Sequence, residues 1–89
     1  MSDFPIEIKN FVDADGKLKQ LPSKMEPRKK AMEYLAAKFD AAVKYDEKQV
    51  NEILNNWHTF KDPAMLRRSL IELGFMKRTP DGREYWKNV

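Results

Sequence analysis

Between residues 27 and 74 the apolar positions recur at intervals of three and four, the spacing that gathers them on one face of a helix. After Gly74 they fall instead into short runs bounded by turn residues. The spacing predicts a first helix over Pro27–Phe39, with proline in its first turn and Met32, Leu35, Ala36 and Phe39 on one face. A second is predicted over Glu47–Trp57, opened by Asp46 with Gln49 three residues on, a variant of the capping box, and lined by Val50, Ile53, Leu54 and Trp57. A third follows Asp62 and Pro63, turns Leu66, Leu70 and Leu73 inward, and ends at Gly74, where a left-handed cap is expected.

Past that glycine, Phe75–Thr79 and Arg83–Lys87 flank a Pro80-Asp81-Gly82 turn and read as a β-hairpin. Tyr45, between the first two helices, is placed to add a third short strand. Residues 9–21, around Asp15-Gly16, read either as a second hairpin or as an ordered extended arm. The order helix, short strand, helix, turn, helix, hairpin is that of a winged helix. The expected fold is therefore α+β: a winged-helix-like three-helix core with a C-terminal β-hairpin wing, plus the N-terminal arm. The chain is read as one domain over residues 1–89, with the arm at 1–24 and the core and wing at 25–89.

Composition narrows the chemistry. With 89 residues there is little room for an enclosed cleft. Without cysteine the chain has no disulfide, thiolate nucleophile or cysteine-type zinc site. No apolar stretch approaches the roughly 18 residues of a membrane span, and the Met1-Ser2-Asp3 start lacks a basic, then apolar, leader, so a cytoplasmic protein is expected. The three glycines are accounted for by turns and a helix end, which leaves none for a phosphate-cradling loop.

The net charge of +3 is modest, but it is segmental. It runs at about −3 over residues 1–16, +5 over 17–30, −1 over 31–74 and +2 over 75–89. Arg28, Lys29 and Lys30 stand at the start of the first helix, where the positive end of the helix dipole disfavours cations, so a neutralising ligand is weighed there against a solvated helix end. The helical wheel places Ala64, Arg68, Ser69 and Glu72 opposite the third helix's buried leucines, with Arg67 at the flank. Arg68 is then the best-placed donor toward a DNA groove, while Arg67 reads as a phosphate contact or as the partner of an acid within the domain. In the wing, Lys77, Arg78 and Arg83 suit a DNA backbone or narrow groove, and equally suit protection of exposed strands from pairing.

His58, in the turn Trp57-His58-Thr59-Phe60, is the lone histidine and reads as a hydrogen-bonded turn residue, since no second histidine or cysteine would complete a metal site with it. Asp13 and Asp15 are too short a series for a calcium loop, with Lys24 where the bidentate acid is needed. No nucleophile elbow is present. No catalytic residue, cofactor or metal is expected.

The run Tyr45–Leu54, then Trp57-His58-Thr59-Phe60 and Asp62, Leu66-Arg67-Arg68, Gly74, Arg78, Asp81-Gly82 and Tyr85-Trp86 resembles a bacterial domain family of unknown function. Phe11–Leu18 and Pro22 are similar to its opening, so the likeness covers nearly the whole chain. The resemblance implies a winged-helix-like domain, found alone or joined to helix-turn-helix transcriptional regulators, for which nucleic-acid binding has been suggested without an assigned activity. Ser69 stands where that family commonly has an acid after the paired arginines, which implies that Arg67 and Arg68 are freer here.

The leading expectation is a non-enzymatic module that binds double-stranded DNA, in transcriptional regulation, through Arg67, Arg68, Ser69, Lys77, Arg78, Arg83, Arg28, Lys29 and Lys30. Neutralising roughly three to five phosphates would give a slope of log K against log salt of about −3 to −4.5. The alternative is a protein-interaction module that docks a regulatory partner through the arginines and the aromatic turn.

Overall fold

Each helix starts and stops where the sequence supplies partners for the unpaired backbone groups at its ends. The computed structural model describes residues 6–88; residues 1–5 of the expected arm lie outside the described residues. A 3-10 helix over Ile6–Phe11 leads into α1 (Met25–Ala36), α2 (Glu47–Asn55), α3 (Pro63–Glu72), β1 (Met76–Arg78) and β2 (Tyr85–Lys87).

At the head of α2 the Asp46 carboxylate accepts the Gln49 amide at 2.7 Å and the Gln49 side chain accepts the Asp46 amide at 2.9 Å, which completes the capping box. Asp62 caps α3 in the same way through the Met65 amide at 3.2 Å, with Pro63 in the first turn. The end of α3 is a Schellman motif: Phe75 N–H donates to Leu70 C=O and Gly74 N–H to Ile71 C=O, with Gly74 at φ +80°. A side chain with a Cβ is strained at that φ, so Gly74 sets both the end of the helix and the entry into β1.

Two helices are shorter than their apolar pattern suggests. Past Ala36 the chain tightens to bonds from Lys38 to Leu35 and from Phe39 to Ala36, so Phe39 keeps its place in the core without being helical. α2 stops before Trp57 because the arm and the turn take over its last groups. The Trp57 carbonyl accepts Leu18 N–H at 2.8 Å, and the Leu54 carbonyl lies 2.7 Å from His58 Nδ1.

β1 and β2 pair antiparallel, with Met76 opposite Lys87, Lys77 opposite Trp86 and Arg78 opposite Tyr85. The third strand expected at Tyr45 is a single residue pair: Tyr45 and Tyr85 exchange both backbone hydrogen bonds at 2.8 and 2.7 Å. Placing Tyr45 beside β2 rather than β1 gives the sheet of a winged helix. Three helices followed by a hairpin make this an α+β, winged-helix-like fold.

The arm is a small hairpin in which Val12 bridges Leu18 across a turn bonded from Gly16 N–H to Asp13 C=O. It is stitched to the helices by the Leu18–Trp57 bond, by Thr59 N–H on Leu18 C=O at 3.0 Å, and by the Tyr34 hydroxyl on Gly16 C=O at 2.7 Å. One continuous core results, with Ile8 and Leu18 from the arm fully buried among Met32, Leu35, Val50, Leu54, Leu66, Leu70 and Met76.

Among the described residues no helix is long and apolar enough to cross a membrane.

Candidate nucleic-acid interface

The Schellman turn packs β1 against α3, and the two-residue alternation of a strand then decides which wing side chains face the helix. Met76 is buried, so Arg78, two residues on, shares its face, while Lys77 and its register partner Trp86 lie on the other. Ala64, Arg67, Arg68, Ile71 and Glu72 of α3, Arg78 of β1 and Tyr85 of β2 line an open depression of about 370 Å³. Of the cations singled out in the sequence, the structure brings Arg67, Arg68 and Arg78 together here.

These three arginines are in different states. Arg67 is only 19% exposed and is tied to α2, with Nη2 2.9 Å from Glu47 Oε1 and Nη1 donating to the Asn51 side-chain oxygen. Of the two readings open for Arg67, the partner acid within the domain is the one realised, by Glu47 on α2, four positions before Asn51, and its place among the expected DNA contacts is corrected accordingly. The Arg68 side chain is exposed and makes no hydrogen bond or ion pair with any described residue. Arg78 donates through Nη1 to the Thr79 and Pro80 carbonyls at 3.1 and 3.3 Å, which holds the guanidinium beside the wing turn with its remaining N–H groups available.

Ser69 is a second correction. It is 4% exposed, not outward-facing, and offers nothing to a ligand. Three residues on from Leu66 correspond to about 300°, or 60° short of a full turn, which puts Ser69 at the margin of the leucine stripe, where a small side chain is readily covered.

The other candidates lie apart from the depression. Arg83 is 86% exposed at the wing tip, with Nε 3.5 Å from Asp81 Oδ2. Lys77 stands on the outer face of the wing, where Lys44 Nζ lies 5.8 Å from the Trp86 ring centroid. Arg28, Lys29 and Lys30 sit in the first half of α1, with Lys29 exposed and the other two half-buried, and none of them lines the depression.

The wing turn is fixed by its own side chains. Thr79 Oγ1 donates to Asp81 Oδ1 at 2.6 Å and accepts the Arg83 and Glu84 amides at 3.2 Å, while Asp81 Oδ1 also accepts Arg83 N–H at 3.1 Å. The Thr79 hydroxyl first, and the Arg83 amide after it, hold the Asp81 carboxyl below its ordinary pKa of 3.8.

His58 has no chemistry to spare. It is buried, its Nδ1 meets a carbonyl (Leu54) and its Nε2 meets an amide (Asp62, 2.9 Å), so the neutral ring carries its proton on Nδ1. Phe60 packs on the ring edge-to-face. Sequence reasoning missed the cation–π contact beside it, in which Lys38 Nζ lies 3.9 Å from the Trp57 ring centroid and 4.4 Å from that of Tyr34, the two rings being perpendicular. The four-residue step from Tyr34 to Lys38 was the available signal.

A family model described as an uncharacterized protein conserved in bacteria (DUF2087) matches residues 17–87. The chain belongs to this family. The DUF2087 match takes in Leu18, all three helices and the wing, and therefore every residue that lines the depression. It begins after Ile8 and Val12, which are nonetheless buried in the same core. No curated protein and no solved structure matches the chain.

Proposed function

We propose that this DUF2087 chain is a non-catalytic, cytoplasmic DNA-binding module of transcriptional regulation, with α3 in the major groove and the wing on the flanking backbone. The observation that carries this reading is the unpaired Arg68 on the outward face of α3, in one open depression with Arg78 of the wing. A B-form major groove about 12 Å wide admits a helix. From there Arg68 reaches base edges or phosphate, and Arg78, with Arg83 at the tip, reaches the backbone beside it.

The structure lowers the expected charge count. With Arg67 neutralised by Glu47 and Lys77 on the far face, two or three phosphates are contacted in place of three to five. The expected slope of log K against log salt is then about −2 to −3. Fluorescence anisotropy on a mixed-sequence duplex measures it. Arg78→Ala or Arg83→Ala is expected to flatten the slope by about 0.9 each, whereas Lys77→Ala leaves it unchanged. Absence of binding at low salt would overturn the reading, and retention of a protein partner in place of duplex would favour the docking module.

A further inference from the structure

Glu72 is out of place on a surface that only grips phosphates. It is exposed, it lines the same depression as Arg68 and Arg78, and it forms no ion pair with any described residue. A free carboxylate there repels the DNA backbone, and a phosphate-binding face is better without it. It sits four residues after Arg68, so the two side chains stand one turn apart on the same strip of α3. That spacing is about 6 Å along the helix axis, against a rise of about 3.4 Å per base pair.

We infer that Arg68 and Glu72 are a base-reading pair and that the module prefers sites with a guanine and a cytosine one or two base steps apart. Arg68 presents the planar fork that bonds guanine O6 and N7 together, and a carboxylate accepts from the cytosine N4 amino group. The neighbouring arginines do not compete for these roles: Arg67 is held by Glu47 and Asn51, and Arg78 is held at the wing turn. Glu72 also supplies rejection of thymine and guanine, because opposite their acceptors its oxygens meet no donor.

The inference rests on the DNA-binding reading, and one experiment separates their failures. The full chain is used to select duplexes from a library with a randomised centre, alongside Arg68→Ala, Glu72→Ala and Glu72→Gln, all at exposed positions that leave the core intact. The selected pool is expected to carry one guanine and one cytosine at fixed separation, with roughly ten- to hundredfold loss on changing either. Arg68→Ala should erase the guanine preference. Glu72→Ala should erase the cytosine preference while raising affinity for unrelated duplexes. Glu72→Gln should replace cytosine by adenine, whose N6 and N7 match a side-chain amide. A flat pool from a chain that still binds DNA with the expected salt slope would overturn the base-reading pair and leave the DNA-binding reading standing. A base preference that neither Glu72 substitution alters would overturn it too, and no retention of any duplex would overturn both.

Discussion

His58 and Arg67 carry the kinds of side chain that attract functional assignments, and both spend themselves on the fold. A backbone amide only donates and a carbonyl only accepts, so the bonds to Asp62 and Leu54 leave His58 a single neutral tautomer. Its ¹⁵N spectrum is expected to show a protonated Nδ1 and an unprotonated Nε2. His58→Ala is expected to cost about 2–4 kcal/mol by urea titration, because it empties a buried site and takes the acceptor from Asp62 N–H. The turn role of His58 was legible in the sequence, since the chain holds no second ligand for it. The state of Arg67 was left open, because its partner Glu47 lies twenty residues away on another helix and no local period reports such a pair. Ser69 shows a different failure. A polar residue was read as an outward one, although its angular position is next to the leucines, where so short a side chain is readily covered.

Element boundaries followed local chemistry wherever that chemistry was self-contained. The caps at Asp46 and Asp62, the Gly74 stop and the wing turn are each built from residues within five positions of one another, and each stands where the pattern predicted. The ends of α1 and α2 did not: α1 tightens into bonds from Lys38 to Leu35 and Phe39 to Ala36, and beyond α2 the Leu54 carbonyl meets Trp57 N–H and the His58 ring while the arm takes the Trp57 carbonyl. The wing turn carries a pH dependence of known sign. Asp81 has its folded pKa depressed, so its contribution to turn order is present above the ordinary carboxylate range and is lost as pH falls through the folded value. Acidification below about pH 4 is therefore expected to loosen residues 79–84 before the helices unfold, seen as loss of amide protection at Arg83 and Glu84. Thr79→Val should shift that loosening to higher pH, and an unchanged profile would contradict the hydrogen-bonded turn.

Across the whole molecule the N-terminal segment is more than a tether. Ile8 and Val12 precede the span matched by the family and are both buried in the core, with the 3-10 helix that carries Ile8 packed on α1. Ile8→Ala is expected to lower stability by about 2–5 kcal/mol, a large share for a domain of this size, with DNA affinity of the folded protein unaltered. The same scale bears on the charge. Only Arg67, Arg68 and Arg78 meet in the depression, and the basic stretch at the start of α1 stays outside it, a division that no segment-by-segment count could have drawn. The site proposed for DNA is the depression where α3 meets the wing. Amide shifts recorded while a short duplex is added to the ¹⁵N-labelled protein test this most directly. Shifts are predicted at residues 64–72 and 76–85, with Arg68 and Arg78 side-chain resonances among the largest; shifts confined to Lys44 and Trp86 on the outer face, or none at all, would contradict it.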